Sequence, residues 1–345
     1  FALIVPTKAL INENRSQIIN DLKEYLQQRN YRVITDAGDL ALEGRHNFIL
    51  VLTPERLLYL LISKPDLQID YVFIDEAHKL SGKNSRGPFY YKVVDMLIKR
   101  QHKPHIIFAS PNIPNPEVYL RLLSEKTNAN NRLRSTFSPV AQIKFLIDLN
   151  THTISAYNDY AEELMHLATI QKSDATLIDF LRMFEVVNIK QIPENRQQTI
   201  VYCNGKSKAI ELAREFSKFL PESGDKELDD LSRDIRNEVH GEYYLTEVIK
   251  KGVAYHIGYL PSAIRMRIED MFRKGKITIM FCTSTLLEGV NLPADNLFIT
   301  DFKINRSIMT PVDFRNLIGR VGRIRFNLYG NVFFVAQGDK ITEKD

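Results

Sequence analysis

Cysteine is scarce in this chain, which has only two cysteines among 345 residues. Cys203 and Cys282 each lie in a short apolar run (TIVYC and ITIMFC), which predicts buried thiols in strands rather than a disulfide or a metal site. This usage fits a reducing compartment. We therefore expect a cytoplasmic protein, or a nuclear one in a eukaryote.

Long apolar runs are also missing, since none approaches the roughly 20 residues that cross a bilayer. No membrane partner is expected. The opening stretch FALIVPTKAL has no basic segment before its apolar run, as a signal peptide would, so we expect the chain to begin inside a domain. The net charge of +4 permits a polyanionic partner without requiring one.

Short apolar runs alternate with helical patterns, and the length favours two domains. In the first half the strand patterns FALIVP, HNFILVLTP, YVFIDE and HIIFAS are separated by helix patterns NENRSQIINDLKEYLQQ, PERLLYLLIS and YYKVVDMLIKR. A second series runs from QTIVYCN to NVFFVAQ. Near-continuous apolar strands alternating with helices predict an α/β fold with mostly parallel sheets covered on both faces.

We predict three segments along the chain. Residues 1–145 form the first α/β domain, residues 146–197 a linker and helical insertion, and residues 198–345 the second α/β domain. The stretches AQIKFLIDL and HTISAYND, which precede or open the linker, indicate extended connectors. The acidic segment Pro221–Glu242 indicates a solvated loop and helix.

Two adjacent carboxylates, Asp75 and Glu76, follow the apolar strand pattern YVFI. Ligands of parallel α/β sheets bind beyond the carboxyl ends of the strands, and successive side chains of an extended chain point to opposite sides. One carboxylate can hold Mg²⁺ through its water shell. The other can orient and deprotonate a water for attack on phosphorus. Taken alone, the pair is also compatible with a solvated strand end.

Five motifs in a fixed order decide between these alternatives. Asp75-Glu76-Ala77-His78 resembles the nucleotide-hydrolysis motif, in its DEAH form, of superfamily 2 helicases. Pro6-Thr7-Lys8-Ala9-Leu10 resembles the first nucleic-acid-contact motif, and Thr53-Pro54-Glu55-Arg56 resembles the second. Thr283–Pro293 resembles the fifth motif, and Gly319–Arg323 resembles the sixth. The stretch from Gly252 to Ala294 resembles the Ski-like branch in particular. The resemblance extends from residue 2 to about residue 336.

The resemblance implies two RecA-like domains joined by a linker, with ATP and Mg²⁺ as cofactors. Asp75 would hold the metal, Glu76 would activate water, and His78 belongs to the same catalytic motif. Arg320 and Arg323 would reach the γ-phosphate when the domains close. The implied nucleotide contacts are Gly289, Asn291 and Asn316, and the implied strand contacts, mainly to phosphates, are Thr7, Lys8, Thr53, Arg56, His256 and Thr285.

The sixth motif also has a physical rationale of its own. Two arginines three positions apart on a short helical segment would project from one side. Gly319 and Gly322 would let another backbone or the nucleotide come close. The pattern Ser262–Lys276 predicts an amphipathic helix, with a buried stripe of Ile264, Ile268, Met271 and Phe272. Its arginines, Arg265, Arg267 and Arg273, lie off this stripe, where they serve a solvated surface or contact nucleic acid.

Three features depart from the family pattern. The phosphate loop G-x-x-x-x-G-K-[ST] is missing, because Asn204-Gly205-Lys206-Ser207 has Ile200 where the first glycine is required and matches the fourth motif by its order. The simplest account is a chain that starts downstream of the loop, so we expect this polypeptide alone to hydrolyse ATP near background. The third motif is Ala109-Ser110-Pro111 instead of Ser-Ala-Thr, and Asn316 replaces a common glutamine.

The sequence therefore predicts the motor core of an ATP-dependent helicase or translocase. The expected partner is single-stranded or partly duplex DNA or RNA, and a protein partner stays open. The alternative is a nucleic-acid-binding or scaffold module with a degenerate, non-hydrolysing motor. The missing loop favours that alternative, whereas the intact DEAH motif and the paired arginines disfavour it.

Overall fold

The computed structural model describes residues 1–36, 38, 46–80, 87–110, 117–123, 133, 140–191, 196–239, 243–286, 292, 294–322, 329–338 and 341. The chain divides into two compact units, Phe1–Thr136 and Phe137–Asp345. Each unit has its own sheet, flanked by helices. The predicted α/β fold is therefore confirmed.

The first unit is built on a five-stranded parallel sheet. Its strands are β1 (Ala2–Ile4), β2 (Tyr31–Ile34), β3 (Asn47–Leu52), β4 (Tyr71–Ile74) and β5 (His105–Phe108). They lie in the order β2-β3-β1-β4-β5, and each neighbouring pair is parallel. The central strands are apolar runs because residues on both faces, such as Ile4 and Val51, are buried.

Helices connect these strands. They are α1 (Lys8–Asp21), α2 (Lys23–Gln28), α3 (Pro54–Ser63), α4 (Gly87–Ile98) and α5 (Glu117–Arg121), with a 3₁₀ helix at Ala77–Leu80. Two of these helices are capped by threonine hydroxyls, since Thr7 and Thr53 occupy the N-cap positions of α1 and α3. The single helix predicted for NENRSQIINDLKEYLQQ is interrupted at Leu22, which leaves the helical conformation.

The second unit contains an eight-stranded mixed sheet. Its strands are β6 (Ala141–Asp148), β7 (Thr153–Asn158), β8 (Glu163–Thr169), β9 (Thr199–Tyr202), β10 (Val253–His256), β11 (Ile279–Cys282), β12 (Asn296–Ile299) and β15 (Tyr329–Ala336). The order is β10-β11-β9-β12-β15-β6-β7-β8. Pairing is parallel from β10 to β6 and antiparallel from β6 to β8. A small hairpin is formed by β13 (Lys303–Ile304) and β14 (Ser307–Ile308).

The helices of the second unit are α6 (Leu177–Ile189), α7 (Lys206–Ser217), α8 (Lys226–Glu238), α9 (Leu245–Ile249), α10 (Ser262–Arg273) and α11 (Pro311–Ile318), with a 3₁₀ helix at Ser284–Leu286. The predicted amphipathic helix is α10, and its four stripe residues are all buried. Helix α8 forms the core of the acidic segment and buries Leu228, Leu231 and Ile235.

The stretch predicted as connectors and linker has a different structure. Strand β6 pairs with β15 along its whole length, β7 and β8 extend the same sheet, and the compact unit begins at Phe137. Residues 146–197 thus contribute strands and helix α6 to the second unit, whereas the prediction began the second domain at residue 198. The strand signal is weak because every residue of β8 is exposed and β7 is only partly buried.

Both cysteines are free and buried, as predicted. They lie at the ends of neighbouring strands, where the Cys203 amide donates to the Cys282 carbonyl at 2.8 Å. Burial raises the pKa of the Cys282 thiol well above its ordinary value. Within the described ranges, no helix has the length and apolar character needed to cross a membrane.

Candidate functional site

The predicted site residues of the first unit lie at one edge of its sheet. Because the five strands are parallel, their carboxyl ends meet at the same edge, which we call the first carboxyl edge. Thr35 follows β2, Thr53 follows β3, Thr7 follows β1, Asp75 follows β4 and Ala109 follows β5. Residues far apart in sequence are therefore neighbours along this edge.

The carboxylate pair occupies a turn between β4 and the following 3₁₀ helix. The Asp75 amide donates to the Ile4 carbonyl at 2.9 Å, which continues the sheet by one residue. The Glu76 amide then donates to Asp75 Oδ1 at 2.9 Å. Glu76 has a φ of 53°, a left-handed conformation that costs a residue with a side chain about 1–3 kcal/mol. The chain at Glu76 is thus a turn, and the predicted extended geometry is corrected.

Burial and mutual repulsion act on this pair. Desolvation, followed by the neighbouring charge of Glu76, raises the pKa of Asp75. Oε2 of Glu76 lies 3.2 Å from Nδ1 of His78, a close contact that lacks hydrogen-bond geometry. The site holds two partly desolvated carboxylates that a cation would stabilise.

These residues fit a magnesium ion that is shared with a substrate. Glu76 Oε2 is buried without a hydrogen-bond partner among the described residues, and one oxygen of Asp75 accepts a backbone hydrogen bond. The described part of the chain has no cluster of three or more His, Cys, Asp or Glu side chains that could hold a metal. Mg²⁺ commonly uses one or two carboxylates together with phosphate oxygens and water, which agrees with this donor set.

The segment that resembles the third motif is joined to the DEAH turn by backbone hydrogen bonds. Ala109 accepts from the Ala77 amide at 2.8 Å and donates to the Ile74 carbonyl at 2.8 Å. The hydroxyl of Ser110 is buried beside this junction. A displacement of either segment would therefore move the other. Pro111, the next residue of the third motif, lies outside the described residues.

The strand-contact residues predicted in the first unit differ in accessibility. Thr7 and Thr53 use their hydroxyls as helix caps, accepting from the Leu10 and Arg56 amides at 3.3 and 3.4 Å, and Thr53 is only 6% exposed. Arg56 donates to the Thr35 carbonyl at 2.6 Å and lies 4.0 Å from Asp36. Lys8 is exposed at the start of α1. Lys8 is therefore the more accessible of the two cations, Lys8 and Arg56, and the roles of all four residues stay predictions.

His256 and Thr285 are brought together at the carboxyl edge of the second sheet. Nδ1 of His256 lies 3.0 Å from Oγ1 of Thr285, and its Nε2 lies 3.0 Å from Oε1 of Glu269 on α10. Thr285 also donates to the His256 carbonyl at 3.1 Å. His256 is 0% exposed, so the expected direct contact with a strand is corrected. The histidine instead holds the hydroxyl of the partly exposed Thr285.

Arg320 and Asn316 occupy the other end of the second unit. Asn316 lies on α11, and Arg320 lies in the turn that follows this helix. The Arg320 carbonyl accepts from the Ala294 amide at 3.0 Å, just before β12 begins. The helix ends at Ile318, so Arg320 lies beyond it and not on the short helical segment on which the prediction placed it. Arg323, Gly289 and Asn291 lie outside the described residues.

Gly322 is required by this turn for two reasons. Its φ is 97°, a conformation that side chains disfavour. A Cβ atom there would also lie 1.9 Å from Cγ1 of Val140. The second glycine of the sixth motif therefore seats the turn against the start of β6. The close approach at Gly322 is therefore made by the Val140 side chain, not by the backbone or nucleotide that was predicted.

Sequence reasoning missed Glu269, which holds His256 from helix α10. It lies among the polar positions of α10, yet it is buried and contacts His256. Two of the three arginines of this helix are also engaged, since Arg267 pairs with Asp234 and Arg273 lies 3.8 Å from Glu269. The one sequence signal that could have identified Glu269 is its place next to Ile268, a residue of the apolar stripe.

Comparisons with known proteins agree with this geometry. The family model described as DEAD/DEAH box helicase matches residues 1–118, and the model described as helicase conserved C-terminal domain matches residues 185–325. The first match contains the carboxylate pair. The second contains the His256–Thr285 pair and Arg320.

Several curated proteins are similar over almost the whole chain. Sequence identity is 26% to the ATP-dependent DNA helicase Hel308 of Caldivirga maquilingensis and 27% to that of Methanococcus vannielii, over 98% and 99% of this chain. It is 25% to the Anti-bacteriophage protein B of Escherichia coli, over 97% of the chain. The matched parts are 44%, 44% and 41% of these relatives. The chain thus spans less than half the length of the curated relatives it matches.

Proposed function

We propose that this chain, which belongs to the DEAD/DEAH-box helicases of superfamily 2, is the ATP-dependent motor core of a DNA helicase or translocase. The observation that carries the proposal is the pair of adjacent carboxylates, Asp75 and Glu76, at the carboxyl edge of a parallel sheet, where burial raises the pKa of Asp75. DNA as the substrate is supported by the names of the relatives. The Ski-like branch within the superfamily belongs to the same proposal.

The proposed roles follow from the positions of the side chains. Asp75 would hold the ion, and Mg²⁺ when bound with ATP would neutralise charge on the phosphate oxygens. Glu76, which lies 3.2 Å from His78, would position a water and accept its proton. Asn316 and Arg320 are proposed to serve the nucleotide. Arg320 would stabilise negative charge as the phosphate bond breaks, because its guanidinium stays charged.

Strand binding would use phosphates and not base sequence. Lys8 offers an exposed cation in the first unit, and Thr285 offers a hydroxyl in the second. Thr7, Thr53 and Arg56 already serve as helix caps or bind the end of β2. The backbone amides of these three residues, and the helices α1 and α3 that the two threonines cap, would hold the strand contacts in place. The helicase relatives support this motor over the degenerate scaffold alternative.

The test is strand-stimulated ATP hydrolysis by the full-length protein and by Glu76→Gln. Removal of a positioned general base lowers turnover by roughly 10²–10⁴-fold, and we expect strand affinity to stay unchanged. Glu24→Gln on the exposed face of α2 is the matched control and should keep full turnover. Undiminished stimulation of Glu76→Gln would remove this residue from the proposed role.

A further inference from the structure

A turn after β10 presents an exposed aromatic ring at the carboxyl edge of the second sheet. Tyr259 is 80% exposed. Its neighbours Ile257 and Leu260 are buried, and the Leu260 amide donates to the Ile257 carbonyl at 3.2 Å. The turn is thus anchored on both sides of Tyr259. Because most of the ring is exposed, packing in the core does not explain an aromatic residue at this position.

A lysine from a neighbouring loop lies on this ring. Nζ of Lys206, the first residue of α7, is 4.1 Å from the centroid of the Tyr259 ring. The two residues follow β10 and β9, and β11 lies between these strands. An ammonium group over one face of a ring that is mostly exposed leaves the other face accessible to a flat group. A nucleotide is bound by an aromatic ring face for its base and a cation for its adjoining phosphate, and here the two lie side by side.

The same turn touches the loop of a predicted strand contact. A Cβ atom placed on Gly258 would lie 3.4 Å from Cγ2 of Thr285. Thr285 itself is fixed by His256. Tyr259 and Lys206 are therefore continuous with the surface on which the proposed function places a strand, and this continuity favours nucleic acid over a protein partner.

We propose that Tyr259 stacks on a base of the bound single strand while Lys206 contacts an adjoining phosphate. This inference rests on the proposed function and adds a base contact by Tyr259, which lies in none of the motifs. Aromatic stacking accepts any base because every base has a π-face. The pair would therefore strengthen binding without sequence preference.

The chain contains no tryptophan, which gives a direct probe of stacking. In Tyr259→Trp the introduced ring is the chain's one tryptophan and keeps the ability to stack. We expect oligo(dT) to quench its fluorescence, and an abasic strand of equal length to quench it much less. Tyr160→Trp is the control, because Tyr160 is 99% exposed in the turn between β7 and β8, at the far end of the sheet order.

Affinity supplies an independent readout of the same contact. Tyr259→Ala should weaken binding of oligo(dT) by roughly 5- to 100-fold, the range that loss of one stacked base gives, and should leave abasic binding almost unchanged. Tyr259→Phe should bind like the unchanged protein. Lys206→Gln should weaken both strands and reduce the salt slope of log Kd by about 0.7.

The possible results distinguish a failure of the stacking contact from a failure of the proposed function. If the unchanged protein binds strands but Tyr259→Ala binds oligo(dT) equally well, the stacking contact is wrong and the motor proposal stands. If Tyr259→Trp is quenched equally by both strands, the contact is not with a base. If the unchanged protein binds no strand at all, both proposals are overturned.

Discussion

Glu185 shows how one half-buried side chain can link stability to pH. It lies on α6, where its oxygens accept from the Thr278 hydroxyl at 3.3 Å and the Asn188 amide at 3.4 Å. Desolvation raises the pKa of this carboxyl, although both hydrogen bonds and Arg196 act in the opposite direction. The ionised form is therefore less stable in the fold than in the unfolded chain.

We predict that Glu185→Gln stabilises the protein at neutral pH. A carboxyl whose folded pKa exceeds its ordinary value of 4.5 contributes stability that is intact below pH 4.5 and is lost as pH rises through the folded pKa. The neutral amide avoids that loss. The gain over the unchanged protein should be absent below about pH 4.5, grow above it and then level off. Urea unfolding at several pH values measures it.

The control for this prediction lies on the same helix. Burial alone would raise the pKa of Asp179, but hydrogen bonds from Lys172 and Thr176 outweigh it and lower that pKa. Its stability contribution is present at neutral pH and lost as pH falls. Asp179→Asn should thus destabilise the protein at pH 7. Equal midpoints for Glu185→Gln and the unchanged protein at pH 7 would contradict the burial argument.

At the residue scale, sequence reasoning succeeds where function depends on local structure. A threonine before Pro54 predicts a helix start, and Thr53 is the N-cap of α3. It fails where a partner comes from another element. The histidine at the end of β10 gives no sign that Glu269, on the next helix, will bury it. Such pairing depends on tertiary packing, which composition and spacing do not record.

Charge pairing joins helix α8 to the end of helix α10. Asp225 is the N-cap of α8, where one of its oxygens accepts from the Glu227 and Leu228 amides at 2.8 and 3.2 Å. Lys276, just beyond α10, lies 2.8 Å from both Asp225 and Glu227. The acidic segment is therefore ordered by its own cap and by a lysine distant in sequence.

We predict that Asp225→Ala destabilises the protein by about 1–2 kcal/mol, because it removes the cap of α8. Asp225→Ser keeps a capping oxygen and loses only the charge, so it should cost less than the alanine variant. Added salt should narrow the difference between the serine variant and the unchanged protein, since salt screens the contact with Lys276. Urea unfolding at two salt concentrations provides the measurement. An alanine variant as stable as the unchanged protein would show that the cap contributes nothing.

At the element scale, apolar runs predict the strands that are buried on both faces. YVFI and TIVY became β4 and β9, and the alternation with helices gave the parallel sheets. Edge strands escaped the same reasoning. Strand β2 has exposed residues at its start, and β8 is exposed throughout. An edge strand needs one buried face at most, so its sequence resembles that of a loop.

On the scale of the whole second unit, the proposed functions occupy opposite edges of one sheet. Thr285 follows β11, at the carboxyl edge, whereas Arg320 pairs through its backbone with Ala294, before the amino end of β12. Both strands run parallel to β9. The backbone therefore places Thr285 and Arg320 at different edges of this sheet. The motifs gave the order of these residues along the chain, but only the topology shows their separation.

This separation predicts two distinct kinetic defects. Arg320→Gln should lower the kcat of strand-stimulated ATP hydrolysis by roughly 10³-fold or more, as loss of an arginine finger does, with unchanged strand affinity. Thr285→Val should weaken strand binding by about 5- to 10-fold, the value of one or two hydrogen bonds, and keep kcat at saturating strand.

Conservative variants at both positions complete this experiment. Thr285→Ser retains the hydroxyl that His256 holds, so it should bind strands like the unchanged protein. Arg233→Gln removes an exposed arginine of α8 that pairs with Asp230, and it should alter neither constant. If Arg320→Gln instead raises the strand Kd and leaves kcat intact, the arginine serves the strand. The assignment of the two edges to nucleotide and strand would then have to be reversed.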